Sequence, residues 1–379
     1  MNRRRYRFHP GDYELGENEK FYSDMEAQGW RLVSRGAFLS RFAPAEPSAA
    51  RYRVEVAEEN YYAYLSDEDM DDGRLAVFAD CGWEFVTGRR LLRIFRAPAG
   101  SDAPEFYMDP RQQAATLKTL HRQHLIGWIP TLFTLLFSLF LQSRRLGGLA
   151  YFHRAWVEET ALCLLLLAAV AWLAYVNLHA AWHVGRVIRR MKRGQPLDHS
   201  PRSRRHVHRA VCWGLAGAMA LCGILAAAQR MEARAGELPL LTTEPYLLPG
   251  ELGLPGEWTL EEGSVTRSQS LLADCWDVHE EMSAQGNTAW IWQDVYLLGT
   301  ERGAVGMAQS LMGTAVFGDQ GRSFRPIDPG GLDMAWAAGE LELVAVKGRL
   351  AAHITYIGDG FWDPAAICGA LEEKWAGEA

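Results

Sequence analysis

The chain has 379 residues, with 39 Lys and Arg against 46 Asp and Glu and a net charge of −7. Such a length admits two or three domains, and the acidic balance argues against direct nucleic-acid binding. The charge is uneven: from Met231 to Ala379, eight Lys and Arg face 23 Asp and Glu.

Read from the N-terminus, "RRYRF" is a strand. Glu17 to Gln28 follows with Phe21, Tyr22 and Met25 on one helical face. Gly29 stops the helix, because glycine accepts the left-handed conformation that commonly ends one. Trp30 then opens "WRLVS", and "AFLSRF" continues as a second strand. The phrase returns 53 residues later: "RYRVEV", a helix over Gly73–Cys81, Gly82, Trp83, "WEFVT" and "LLRIF". At this offset Val33 maps onto Val86, Phe42 onto Phe95, and Tyr52–Val56 onto Glu105–Asp109. The pattern predicts a duplicated strand-helix-strand-strand unit over residues 1–109, with Gly29, Trp30, Phe42, Gly82, Trp83 and Phe95 as equivalent positions. Both tryptophans are expected in the seam between helix and sheet. The acidic run Ser66–Gly73 fails the calcium-loop pattern and reads as a solvated turn.

A helical connector over 110–124 leads to three uncharged runs: Leu125–Leu141, Thr160–Trp182 and Ala210–Ala228. About 20 apolar residues at 1.5 Å rise cross a hydrocarbon core of about 30 Å, so these runs predict membrane helices over 125–141, 160–182 and 209–228. No apolar stretch precedes them, so no cleaved signal is expected. Lys and Arg near the spans set the orientation. An inside N-terminus leaves 11 such residues in the cytoplasm and 5 outside, with eight in the basic connection over 183–206. Anionic membrane lipid is a natural partner for that connection. The expected topology is a multi-pass cell-membrane protein with its C-terminus outside.

Beyond the spans, the proline- and glycine-rich stretch 229–257 reads as a linker. Residues 258–379 read as an acidic extracytoplasmic α+β domain. "AWIWQDVYLL" is strand-like, a hairpin is expected at Lys347–Gly348, and Asp363–Pro364 caps a terminal helix. Trp290 and Trp292 share one strand face, a candidate binding surface. Cys275 and Cys368 are the only cysteines placed outside, and so a candidate disulfide.

No phosphate loop, zinc helix, nucleophile elbow or Cys-x-x-Cys is present, so neither an enzyme nor a cofactor is expected. Six histidines flank the spans: His121, His124, His179, His183, His206 and His208. His179 and His183 share a helix face and are the candidate metal ligands, though no carboxylate or thiol completes a set at metal spacing. The layout favours a non-catalytic sensor or regulator with an unidentified outer ligand. The rival is a transporter accessory or membrane enzyme with a juxtamembrane histidine site.

"EKFYSDMEAQGWRLVSRGAFLSRF", "YRVEV", "FADCGWEFVTGRRLLRIFRAP" and "PEFYMD" resemble the domain-of-unknown-function family 2812 over about Arg5–Arg122. The resemblance implies a bacterial membrane protein with the helix-Gly-Trp phrase twice before its membrane helices. The family's gene context implies a PadR-type regulator as cytoplasmic partner. No catalytic residues come with the family.

Overall fold

A computed structural model describes residues 4–56, 72–98, 100–145, 149–199, 206–254, 256–284, 286–314, 323–358 and 362–377. The acidic run at 66–71 and the part of the basic connection at 200–205 lie outside these residues. The chain divides into two compact units, 1–132 with 171–213, and 133–170 with 214–379.

The first unit opens with β1 (Arg5–Phe8), α1 (Leu15–Ala27), β2 (Trp30–Arg35) and β3 (Leu39–Pro44). It continues with β4 (Arg51–Val56), α2 (Asp72–Asp80), β5 (Glu84–Arg89) and β6 (Leu92–Ala97). Each set forms an antiparallel three-stranded sheet, in the orders β1-β3-β2 and β4-β6-β5. Gly29 and Gly82 hold φ of 83° and 86° where each helix turns into its strand. A side chain at either would be strained there. The next strand of each set is bulged, between Leu32 and Ser34 and between Phe85 and Thr87. Each first strand lays an arginine over the tryptophan: Arg5 at 5.1 Å from the Trp30 ring centroid, Arg51 at 5.5 Å from that of Trp83. The expected match of Tyr52–Val56 to Glu105–Asp109 does not hold. Residues 105–109 form no strand, and β4 takes the place in its sheet that β1 takes in the other.

Phe42 and Phe95 are fully buried, but the tryptophans differ. Trp83 is 2% exposed, donates its indole N–H to the Pro104 carbonyl at 2.8 Å and packs on Phe106. Trp30 is half-buried at its core's edge. Trp83→Ala is therefore expected to cost about 3–5 kcal/mol and Trp30→Ala about 1–2 kcal/mol, since less area leaves water. Urea unfolding of the two variants checks this; equal losses would contradict it.

α3 (Pro110–Ile126) starts at a capped turn, with the Asp109 carboxylate accepting from the Arg111 amide at 2.8 Å. Leu117 and Leu120 of α3, with Val184, Ile188 and Met191 of α6 (Thr160–Lys192), complete the core under α1. The basic connection thus begins as a packed helix.

The first uncharged run is not one helix. α3 ends at Ile126, Gly127–Trp128 form a turn, and α4 (Ile129–Arg145) begins beyond it. Pro130 falls in the first turn of α4, where its missing donor costs least. α4 has 17 residues, about 25 Å at 1.5 Å per residue. Among the described residues, two helical stretches are long and apolar enough to cross a membrane, Thr160–Lys192 and Ala210–Glu232, the latter within α7 (His206–Glu232). At the basic end of α6, Arg186 lies 3.6 Å from the Trp182 ring centroid, a cation–π pair suited to a membrane interface.

The second unit is built on one antiparallel eight-stranded sheet, ordered β11-β12-β13-β14-β10-β9-β8-β7. The strands are β7 (Arg234–Glu237), β8 (Thr259–Gln269), β9 (Ala273–Ala284), β10 (Asn287–Leu298), β11 (Arg325–Pro326), β12 (Met334–Ala338), β13 (Glu342–Lys347) and β14 (Leu350–Gly358). Residues alternate between its faces. One face meets α9 (Pro364–Trp375) through Ile291, Leu343, Ile354 and Trp375. The other meets α5 (Leu149–Glu158) and α8 (Glu301–Thr314) through Tyr296, Val344, Met307 and Val157.

Two expectations are corrected here. Residues 229–257 are not a free linker. α7 runs to Glu232 and β7 joins the sheet directly after it. The chain that follows buries Tyr246, Leu247, Leu248 and Leu252. Buried Gln293 brackets Leu247, accepting from its amide at 3.1 Å and donating to its carbonyl at 2.8 Å. Cys275 and Cys368 are both free. Cys275 points to the α5–α8 face and Cys368, on α9, belongs to the other core, so the sheet separates them.

Candidate functional site

In the first unit, four histidines converge on one tyrosine. Tyr13 lies in the loop between β1 and α1 and is buried. Its ring is edge-on to His124 of α3, His179 and His183 of α6 and His208 of α7, with centroids 5.6–6.4 Å away. A hydrogen bond joins the Tyr13 hydroxyl to His208 Nε2 at 3.1 Å, and another joins Tyr175 to His208 Nδ1 at 3.3 Å. The rings of His179 and His208 stack at 4.0 Å. The four-residue spacing of His179 and His183 places both against Tyr13. His124 Nε2, His179 Nδ1 and His183 Nδ1 are buried without a hydrogen bond. Among the described residues, no three His, Cys, Asp or Glu side chains are arranged to hold a metal ion. His121 stands apart from the ring, beside Gly185, and the His206 side chain lies outside the described set.

In the second unit, a chain of charges crosses the sheet beneath α5. Arg154 donates to Glu158 at 2.7 Å, one helical turn on, and pairs with Asp294 of β10 at 3.2 Å. Tyr296 donates its hydroxyl to the same Glu158 at 2.5 Å. Asp294 faces His353 of β14 at 3.6 Å, and His353 reaches Glu342 of β13 at 3.2 Å. Burial alone would lower the His353 pKa, but hydrogen bonds to Asp294 and Glu342 raise it. Burial likewise favours a protonated Asp294, yet His353 and Arg154 hold its pKa below the usual carboxylate value. The two shifts agree in sign, each favouring the ionised form of the His353–Asp294 pair.

A cavity of about 280 Å³ opens at this chain. Arg154, Glu158 and Glu159 line it from α5 and the start of α6, Gln229 and Arg230 from the end of α7, and Thr266, Asp277, Asp294 and Tyr296 from the sheet. The Asp277 pKa is raised, first by burial and then by Asp294. The burial that pushes the Cys275 thiol up to about 12 keeps it protonated and unreactive at neutral pH. The site offers charge and hydrogen bonding.

Residues 14–129 match the model of the family described as Protein of unknown function (DUF2812). This segment belongs to that family. No curated protein and no solved structure matches the chain.

The DUF2812 segment contains Trp30, Phe42, Trp83, Phe95 and His124, and ends before α6. Its family description assigns no chemistry, and the cavity of the second unit lies wholly outside the match. Sequence reasoning did not find that cavity. α5 reads as part of a connection, and the signal available was the Arg154–Glu158 spacing of four beside two aspartates on neighbouring strands. Trp290 and Trp292 are half-buried on the face that carries Asp294, and the Trp292 ring lies 5.2 Å from that of His279. They extend this polar face rather than forming a separate surface.

Proposed function

We propose that the chain is a multi-pass protein of the cell membrane that links an outer binding unit to a cytoplasmic interaction unit, without catalysis. The observation that carries this reading is the path of the chain. It passes from the first unit to the second within α4, returns within α6 and passes again within α7. Three passages support a reading with an odd number of crossings, and the distribution of Lys and Arg supports an inside N-terminus. α4 is then the third crossing helix, extended by the last turn of α3.

The binding role rests on the cavity. Its lining joins the sheet to the ends of α5 and α7 and the start of α6. A ligand held there touches the helices that lead to the first unit. α7 enters the sheet through β7 without a slack tether, so displacement of the sheet reaches the helix. On the inner side, the paired sheets, glycines, bulges and arginine-covered tryptophans support reading β1–β3 and β4–β6 as copies of one unit. Their role is to present a surface to a cytoplasmic protein, with a PadR-type regulator as the first candidate. Anionic lipid is the partner of the basic end of α6.

Hydrogen exchange in the detergent-solubilised full chain tests the coupling. Asp294→Asn breaks the charge chain in the second unit. Amides of α1 and the Tyr13 loop are expected to exchange at least about tenfold faster, a coupling of about 1.4 kcal/mol. Unchanged exchange throughout the first unit would contradict the reading.

One observation favours a second reading, a transporter accessory or membrane enzyme. Four histidines meet at Tyr13, and three of their ring nitrogens are buried without partners. Loss of a transported solute or a reaction product in Tyr13→Phe, with folding intact, would select it.

A further inference from the structure

One end of the first sheet leaves large apolar side chains in the open. Phe8 at the end of β1 is 78% exposed, and Phe38 in the turn between β2 and β3 is 72% exposed. They belong to one patch. Phe8 stands opposite Leu39, itself exposed, across β1 and β3. The His9 amide donates to the Phe38 carbonyl at 3.2 Å, and exposed Tyr6 lies two residues along the strand face that carries Phe8. The corresponding end of the second sheet is closed. At the offset of 53 residues that carries Phe42 onto Phe95, Phe38 and Leu39 fall on Leu91 and Leu92. Leu92 pairs with Val56 as Leu39 pairs with Phe8. Val56, Leu91 and Leu92 are all buried, in the core that α3 and α6 complete. A contiguous exposed apolar patch on a folded unit marks a contact surface, and in the first sheet no helix of the same unit supplies the cover.

The position of the patch says what does. From Phe8 the chain runs through His9, whose Nε2 donates to the Gly36 carbonyl at 3.2 Å, and Pro10, whose carbonyl accepts from Arg35 at 3.1 Å. Three residues on, Tyr13 packs against His124 of α3 and His179 and His183 of α6. Beside those histidines the same helices expose Leu125, Ile126, Leu178 and Trp182. The patch therefore flanks the place where the apolar surface of the helices begins. Its charge points the same way. β1 and β3 read RYRF and LSRFAP, with three arginines and no acidic residue. Arg7 is exposed beside Phe8, and Arg41 stands opposite Tyr6. Two copies packed through this patch would bring like charges together. A layer of anionic lipid headgroups would neutralise them, and aromatic rings with arginines are the composition of a membrane-surface segment.

We propose that this end of the first sheet dips into the surface of the membrane that α6 and α7 cross. Phe8, Phe38 and Leu39 then lie at the boundary between headgroups and acyl chains, with Arg7 and Arg41 on anionic headgroups. The proposal rests on the reading of those helices as spans, though not on which side of the membrane the first unit lies.

The test uses the full chain in nanodiscs of phosphatidylcholine, with and without phosphatidylglycerol. A fluorophore is attached at Phe38→Cys, Trp182→Cys or Glu46→Cys, each combined with Cys81→Ser. The chain with Cys81→Ser alone gives the background from the remaining cysteines. Nitroxide-bearing lipids quench a label that touches lipid. The label at position 38 is expected to lose at least half of its emission, as is the label at position 182. The label at position 46, beyond the far end of β3, is expected to keep it. Phosphatidylglycerol should deepen the quenching at position 38, and Arg7→Gln with Arg41→Gln should remove that gain. Phe8→Ser should weaken quenching at position 38 and leave position 182 unchanged. Quenching at position 182 but not at position 38 overturns the proposal and leaves the spans standing. Quenching at neither position sinks the membrane reading and the proposal together. Energy transfer between labels at position 38 on two copies, without quenching by lipid, assigns the patch to self-association and also overturns the proposal.

Discussion

Arg96→Met is expected to destabilise the first unit by about 3–5 kcal/mol, the usual cost of breaking one side of a buried ion pair. Glu26 of α1 is fully buried, and Arg96 of β6 grips it through Nε at 2.9 Å and Nη2 at 2.6 Å. Tyr52 donates to the same carboxylate at 2.5 Å, and Ser48 at 3.0 Å. These bonds tie the helix of the first set to two strands of the second. Removing Arg96 leaves a buried carboxylate whose remaining counter-charge is the half-exposed Arg31, at 3.5 Å. Adding Glu26→Gln to Arg96→Met should then recover part of the loss, because the stranded charge is gone. The node also has a pH signature. Burial pushes the Glu26 pKa up, but Arg96, Tyr52 and Ser48 hold it below its ordinary value of 4.5. Its contribution is complete above that value and fades as the pH falls through the folded-state pKa. Urea unfolding of the single and double variants checks the argument. Equal stability of Arg96→Met and the parent would refute it.

Glu280→Gln is expected to act in the opposite sense. Glu280 of β9 is fully buried with both carboxylate oxygens unpartnered. It faces the α9 side of the sheet, opposite Ile291 on β10. Burial, with Glu251 adding repulsion, raises its pKa from 4.5 to about 8. The folded chain therefore keeps a proton that the unfolded chain releases near 4.5. The contribution of this group to stability is greatest below 4.5, declines as the pH rises towards about 8, and is flat above it. At about 1.4 kcal/mol per tenfold change in proton affinity, the span is worth a few kcal/mol. Glutamine carries no such cost. The variant should exceed the parent in stability at pH 8, by about 2–4 kcal/mol, and lose that advantage at pH 4.5. Unfolding of the second unit within the full chain, followed across this range, tests the claim. A constant difference between the two proteins would contradict it.

Local patterns were the legible part of this fold. Gly29 and Gly82 announce helix ends because few other residues adopt their conformation. Asp363–Pro364 announces a helix start, and its carboxylate caps as the pattern implies; Asp109–Pro110 starts α3 in the same way. Long-range pairing was not legible. Nothing in the order of residues says that Arg154 meets Asp294, 140 positions later, or that Tyr13 meets His208. The 229–257 stretch misled for the same reason. Its prolines and glycines suit a linker, and only the sheet beneath it shows where Tyr246 and Leu247 are buried. The first uncharged run misled differently, since hydropathy does not register the turn at Gly127–Trp128. Cys275 and Cys368 share a compartment in sequence terms, yet strand alternation turns Cys275 to one face of the sheet while α9 packs Cys368 on the other.

Thiol labelling of intact cells tests directly the proposed topology, with the first unit inside and the second outside. Cys81 of the first unit is exposed, and Glu340, in the turn before β13, is exposed on the second. A membrane-impermeant maleimide is applied to cells carrying the parent chain, or Glu340→Cys in a Cys81→Ser background. Under this topology the cysteine at position 340 is labelled in intact cells, and Cys81 only after the membrane is opened. Labelling of both positions in intact cells, or of neither until the membrane is opened, would place the units on one side and contradict it.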